Sequence, residues 1–428
     1  MYIKKFFYPD KKKWNFFFKR STENIYKIKN IVESILKKIK ISGDLALNYY
    51  TKKLDKIDLK KKIKITEKEL VFSKNYVSNN FKKAIQKAYD NIYLFHYNQI
   101  CEKYKILDIL PGIKCWKRLI PIEKVGFYIP SGSAPLFSSV LMLGIPAKLV
   151  NCKKIILCTP PNKNGSIHPY ILYTANKIGI KNIYKVGGAQ AIAAMAFGTE
   201  TIPSVYKIFG PGNSYVTMAK QIISQNKGIS IDMPAGPSEV AILADTTANP
   251  KYIAADLLSQ AEHSIDSNVL LVNNSKNWTK KVEKELKNQL YRIPRKDIAI
   301  KSLKKSKIII LSNLELGIEF INEYSPEHLI INCENSIKWA KLVKNAGSVF
   351  IGKFSPESAG DYASGTNHIL PTNTYARCFS GLSVEDFVKK ITFQKLNKIG
   401  LKNISKTIKT LARAEGLIAH ERAVTIRL

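Results

Sequence analysis

Histidine is scarce in this chain, six in 428 residues, and four of the six stand near acidic side chains: Glu262-His263, Glu327-His328, Asp361 ahead of Asn367-His368, and Glu415 ahead of His420. Imidazole next to carboxylate can move a proton, hold a metal ion or simply make a hydrogen bond, so the surroundings of each pair decide between these uses. His96 falls within an amphipathic helical pattern and His168 within a polar loop, and both read as structural or solvent-exposed. In Ser259-Gln260-Ala261-Glu262-His263, at the end of an expected helix, Gln260 and His263 are three apart and share a face from which both could reach one ion. Asp361 and His420 are candidates to complete an N/O site without thiolates, a donor set that suits a catalytic rather than a structural zinc. A surface pair or a hydrogen-bonded core pair is the commoner use of Gln-x-x-His on a helix, and spacing alone leaves both open.

Ser325-Pro326-Glu327-His328-Leu329 sits where a turn enters the apolar run Leu329-Ile330-Ile331. Proline stiffens that entry, and two titratable side chains then project from a strand end, where α/β sheets keep their active sites. Extended backbone would point them to opposite sides, so each could serve its own proton transfer. A capping or salt-bridged pair would use the same residues. Three small-residue turns follow expected strands: Ile129-Pro130-Ser131-Gly132-Ser133-Ala134-Pro135, Gly187-Gly188-Ala189-Gln190 and Gly210-Pro211-Gly212-Asn213. Strand, glycine turn and helix N-terminus together favour a pyrophosphate, because unpaired N–H groups and the helix dipole face the anion. Neither the G-x-G-x-x-G fingerprint nor a Walker A loop is present.

The elements that must position these residues alternate from about residue 118. Strands are expected at 124–129, 154–158, 183–186 and 206–209, with helices near 138–150, 168–178, 188–197 and 212–225. A second set has strands near 239–244, 268–272, 307–311, 329–332 and 347–351, with helices near 250–263, 276–290, 313–323 and 335–344. Such alternation predicts right-handed βαβ units with parallel sheets. The fold class is therefore α/β, with two Rossmann-like parallel-sheet domains, a helical N-terminal extension and a C-terminal helical domain from about 383. Ile25, Ile28, Val32, Ile35, Leu36 and Ile39 mark an amphipathic helix after a Ser21/Thr22 cap, and Phe81, Ile85, Ala88, Ile92 and Phe95 mark another.

A net charge of +35, from 68 Lys+Arg against 33 Asp+Glu, would suit a polyanionic partner. Only eight of the basic residues are arginine, the side chain on which base reading leans, which disfavours a lysine-rich nucleic-acid-binding protein. The lysines also avoid the chemistry: none occurs from Phe354 to Val388, and only Lys251 from Gly228 to Ser275. The N-terminus lacks a secretory h-region, and no stretch reaches the ~20 apolar residues of a membrane span. Cys101, Cys115, Cys152, Cys158, Cys333 and Cys378 form no C-x-x-C pair, so reduced thiols and a cytoplasmic location are expected, with Cys152 and Cys158 as small core residues.

Taken in order, these motifs resemble the histidinol dehydrogenase family, zinc- and NAD-dependent enzymes that end histidine biosynthesis. The resemblance runs over nearly the whole chain, through Val125–Pro130, Val186–Gln190, Phe209–Asn213, Asp232–Glu239, Leu258–His263, Pro326–Leu329, Gly360–Tyr362, Asn367–Thr372, Glu415 and His420. It implies one Zn²⁺ per subunit on Gln260, His263, Asp361 and His420, with Glu327 and His328 as catalytic bases. His328 would take the hydroxyl proton of L-histidinol as hydride leaves for NAD⁺, and Glu327 would activate water for the oxidation of L-histidinaldehyde to L-histidine. Ser238, Gln260, His263, His328, Asp361, His368, Glu415 and His420 would line the substrate site. Tyr128, Gln190 and Asn213 match NAD-contacting positions. The resemblance further implies a homodimer whose C-terminal unit crosses to the other subunit, with no nucleic-acid or membrane partner. The expected units are an extension (1–22), a discontinuous main domain holding zinc and bases (23–128 plus 238–380), an NAD domain (129–237) and the terminal domain (381–428). Ser131, where many members have glycine, and a longer loop at 159–168 depart from the family pattern.

Overall fold

The computed structural model describes residues 3–18, 20, 25–58, 62–100, 105–131, 134–225, 228–234 and 236–428. The expected Ser21/Thr22 cap, Cys101 and part of the 129–135 loop lie outside these residues. Strands buried on both faces read as nearly unbroken apolar runs, and Glu239–Ala244, Asn268–Asn273 and His328–Asn332 are buried at every position. They belong to a six-stranded, wholly parallel sheet in the order Lys4–Phe7, Lys307–Ile310, Asn268–Asn273, Glu239–Ala244, His328–Asn332, Ser348–Ile351. A second parallel sheet runs Asn182–Lys185, Lys154–Thr159, Lys124–Tyr128, Lys207–Phe209, Ser230–Ile231. Apart from the N-terminal edge strand, both sheets follow one plan: the first strand in chain order lies in the middle, the next two to one side and the last two to the other. The βαβ alternation is thus realised twice, with boundaries within a few residues of those expected.

Three elements differ from the sequence reading. Lys4–Phe7 adds a parallel edge strand, and Trp14, in the short helix Trp14–Phe18, packs edge-on against Phe320 at 5.0 Å, so residues 4–18 are part of the six-stranded unit rather than a helical extension. Lys124–Tyr128 lies at the centre of the five-stranded sheet rather than in the main unit, and residues assigned upstream of it follow. Ile28, Val32, Ile35 and Ile39 of helix Ile25–Tyr50 share a core with Ala191–Met195, and Ile85 and Ile92 of helix Asn79–Tyr97 share one with Val125 and Phe127. Residues 381–428 are not purely helical: Val388–Leu396 pairs along its whole length, antiparallel, with Ile113–Pro121 in a three-stranded sheet completed by Leu107–Leu110. Helices Lys398–Ala414 and Ile418–Thr425 follow it. A lone lysine-rich strand whose partner lies some hundreds of residues away carries no local signature, because pairing and not propensity makes it a strand. The helices Glu67–Phe72, Lys296–Lys305 and Glu357–Tyr362 are also absent from the sequence reading.

The described cysteines are free, and Cys152 and Cys158 are buried among apolar side chains. Burial pushes the Cys152 thiol up to about 12. Among the described residues no helix is long and apolar enough to cross a membrane.

Candidate active site

Three of the four pairs singled out in the sequence converge on the amino-terminal edge of the six-stranded sheet. His328 opens its strand opposite Val240, and Glu327 precedes it in the turn. Ser238 immediately precedes strand Glu239–Ala244, and the end of helix Pro250–Ala261, which returns antiparallel to that strand, brings Gln260 to the same edge. Active sites of α/β sheets usually lie at carboxyl ends; here the strand end is the other one, a correction that follows from the direction in which Pro326 feeds the chain into the sheet.

Glu327 and His328 do not diverge to opposite sides. Glu327 is outside the strand, and its carboxylate comes within 3.6 Å of His328 Nδ1. Both side chains meet the main chain of Glu239: its N–H donates to Glu327 Oε2 at 2.8 Å, and its carbonyl lies 3.2 Å from His328 Nδ1. A carbonyl only accepts, so Nδ1 carries the proton and the lone pair of the neutral ring is on Nε2. That atom is buried, without a hydrogen-bond partner among the described residues, 3.7 Å from Asp361 Oδ1. Glu357, four residues before Asp361 on the short helix Glu357–Tyr362, puts its buried carboxylate 3.7 Å from His328 Nδ1. Burial opposes a charge on His328, but Glu357, Glu327 and Asp361 outweigh it and raise its pKa well above the ordinary value. Burial raises Glu327 and pushes Glu357 up to about 8, and Asp361 is held low, against burial, by His328, His368 and His263.

His328, Glu357 and Asp361 have ligand atoms within 4.8 Å of one another and could hold a cation. A second donor group adjoins them. Gln260 is fully buried, and among the described residues neither its amide oxygen nor its amide nitrogen has a partner. His263 lies beyond the helix end, in a turn whose N–H donates to the Gln260 carbonyl at 3.2 Å, and it is exposed where Gln260 is buried. The helix terminus turns its negative end toward this place, which suits a positive charge. Buried polar atoms normally have partners, so the orphaned amide, the neighbouring carboxylate and the dipole together fit a metal ion with N and O ligands.

His368 hangs between the two sheets, with Nδ1 2.9 Å from the Asp361 carbonyl and Nε2 3.2 Å from Ser139 Oγ on helix Phe137–Leu149. Asn367 donates to the Met142 carbonyl of the same helix at 2.8 Å. His96, read as structural, is fully buried and meets Asn367 and Gln99. Glu415 and His420 are not brought to this edge: both are exposed, on the terminal helical segment.

Tyr128, Gln190 and Asn213 gather instead at the carboxyl edge of the five-stranded sheet, around its central strand. The Tyr128 hydroxyl accepts the Gly188 N–H at 3.1 Å. Gln190 donates weakly to Asp55 at 3.5 Å, its amide oxygen is buried without a partner among the described residues, and burial pushes Asp55 up to about 6. Asn213 caps helix Ser214–Ile223 by accepting the Val216 N–H. Gly210 has φ +119°, and a Cβ there would stand 2.1 Å from the Tyr128 carbonyl, so this turn needs glycine. Such a crevice beside the central strand is where doubly wound sheets take nucleotides.

Sequence reasoning missed Glu357, Glu239 and Arg20, which meets Glu239. Only Glu357 left a signal, its i, i+4 spacing to Asp361 in the lysine-free stretch.

A family model described as histidinol dehydrogenase matches residues 18–428. The histidinol dehydrogenase of Bacteroides thetaiotaomicron is 49% identical over 421 residues, 98% of each chain, and that of Bacteroides fragilis 50% over 424 residues, again 98% of each. The crystal structure of histidinol dehydrogenase from Elizabethkingia anophelis matches with a TM-score of 0.96 at 52% identity, covering 100% of this chain and 98% of the other.

Proposed function

The chain belongs to the histidinol dehydrogenase family, NAD-dependent oxidoreductases of histidine biosynthesis, and from that premise we propose that the amino-edge cluster oxidises L-histidinol in two steps through L-histidinaldehyde. The observation that carries this reading is the pairing of an orphaned, buried Gln260 amide with two bases fixed on the main-chain N–H and carbonyl of one residue, Glu239.

His328 Nε2 accepts the hydroxyl proton of histidinol while hydride leaves the same carbon for NAD⁺. Glu327 accepts a proton from the water that adds to the aldehyde, and the hydrate then gives hydride to a second NAD⁺, releasing histidine. Gln260, His263 and Asp361 would hold zinc, with His420 as fourth ligand. When bound, zinc would supply positive charge that orients the substrate's imidazole and amine and offsets the Asp361 charge beside His328. This set is preferred to the His328, Glu357 and Asp361 trio because it satisfies the Gln260 amide and leaves His328 free to act as a base. Ser238, His368 and Glu415 would complete the substrate site, a carboxylate suiting the cationic amine. Tyr128, Gln190 and Asn213 would meet NAD at the crevice of the five-stranded sheet. Glu415 and His420, exposed on their own chain, would serve the partner's site in a homodimer. We place the enzyme in the cytoplasm, consistent with its free thiols.

NADH counted against L-histidinol tests this. Two NADH per histidinol, lost on chelation and restored by zinc, are expected, and absence of NADH under every condition overturns the reading. His328→Asn should lower the first oxidation by about 10²–10⁴, whereas Glu327→Gln should spare it more and block oxidation of supplied histidinaldehyde. Equal loss of both steps in both variants would contradict the division of labour.

A further inference from the structure

Glu239 sets both proposed bases through its main chain, and something must hold Glu239. Its own carboxylate does not face the reacting groups. Oε2 accepts Arg20 Nε at 2.8 Å and the Tyr324 hydroxyl at 3.2 Å; Oε1 accepts Arg20 Nη2 at 3.1 Å and the Asn373 N–H at 3.1 Å. Arg20 comes from the N-terminal segment, and its side chain is 2% exposed against 0% for Glu239. Its guanidinium also donates to the Tyr324 carbonyl at 2.9 Å and the Phe18 carbonyl at 2.7 Å, and lies over the Tyr324 ring, 3.7 Å from its centroid.

We propose that Arg20 is a positioning residue for both oxidation steps, clamping the segment that carries the bases to the one whose main chain orients them. The fork fixes Glu239, whose N–H orients Glu327 and whose carbonyl sets the tautomer of His328. Nη2, which bonds Glu239 Oε1, also holds the carbonyl of Tyr324, the last residue before the turn Ser325-Pro326 that aims Glu327 and His328; Ser325 there has φ +54°, a conformation the chain must be held in. A buried ion pair is a poor source of stability compared with apolar packing, and a planar fork that bridges two backbone segments is a better account of its presence here. This inference rests on Glu327 and His328 being the bases.

Arg20→Met, Arg20→Ala and Arg20→Lys should be assayed separately for histidinol and for histidinaldehyde oxidation, with zinc content and thermal midpoint measured alongside. Loss of an outer partner that orients reacting groups typically costs 10–100-fold, so kcat should fall by about that factor for both substrates in Arg20→Met, with KM and zinc content little changed. Arg20→Lys keeps the charge without the fork and should fall between. Added guanidinium ion should restore part of kcat in Arg20→Ala. If Arg20→Met or Arg20→Ala does not fold, Arg20→Lys decides: reduced kcat at near-normal KM supports the clamp, and unchanged kcat overturns it. Wild-type kcat in a folded variant, or losses shared equally by KM, zinc content and kcat without guanidinium rescue, also overturns it. Should His328→Asn and Glu327→Gln keep both steps, the assignment of the bases has failed; if they behave as stated and the Arg20 variants are normal, only the clamp has.

Discussion

Gln260 shows what a single side chain can disclose. A glutamine buried with four hydrogen-bonding positions and no partner among the described residues costs about 1–3 kcal/mol for each unsatisfied group, a cost a fold sustains where an ion or ligand completes the site. Replacing it by leucine, which fills similar space, should therefore stabilise the metal-free protein by about 1–2 kcal/mol while lowering the zinc retained after dialysis. Calorimetry in chelator and metal analysis measure the two; a lower melting temperature in chelator would mean that the amide has partners of its own. Residue types and spacing made Gln260, His263, Asp361 and the Glu327-His328 pair legible in advance. Glu239 and Arg20 were not legible, because Glu239 acts through its backbone and Arg20 stands 219 positions from the residue it holds.

At the scale of elements, the strand Ser348–Ile351 and the turn before it form one wall of the site. Gly347 N–H donates to the Pro326 carbonyl at 3.0 Å, and a Cβ on Gly347 would meet the Glu327 carbonyl at 2.5 Å and Leu370 Cβ at 3.0 Å. Backbone cannot give way as a side chain can, so Gly347→Ala should displace Glu327. Overpacking of this kind costs about 1–3 kcal/mol, and misplacing a reacting group by about an ångström lowers kcat by about 10²-fold. Steady-state kinetics and thermal melts check both; a loss of stability with normal kcat would show that the Glu327 turn absorbs the strain. Periodicity located most strands and helices of the two parallel sheets, since burial on both faces writes itself into an apolar run. It did not reveal which edge of the sheet carries the chemistry, nor the pairing of Val388–Leu396 with Ile113–Pro121, because strand direction and long-range partners are not local properties.

At the scale of the molecule, the terminal helices leave Leu411, Ile418 and Ile426 exposed beside Glu415 and His420. An apolar surface next to two proposed site residues fits a unit that completes a neighbouring subunit. Mixing His328→Asn with His420→Ala subunits should then restore about a quarter of wild-type activity, because statistical exchange makes half the dimers mixed and each of those regains one intact site. No recovery after confirmed subunit exchange would place His420 in the site of its own chain.

The sequence by itself determined the α/β class, the succession of elements, the acid–imidazole pairs and the family, and it showed that the +35 charge avoids the residues of the site. Those properties are local, written in periodicity, turn chemistry and residue type. Tertiary structure alone decided that the candidate site lies at the amino edge of a sheet, that the main chain of one residue, Glu239, meets both proposed bases, and that an arginine from the N-terminal segment holds that residue. These are relations between segments distant in the chain, and only packing brings them together.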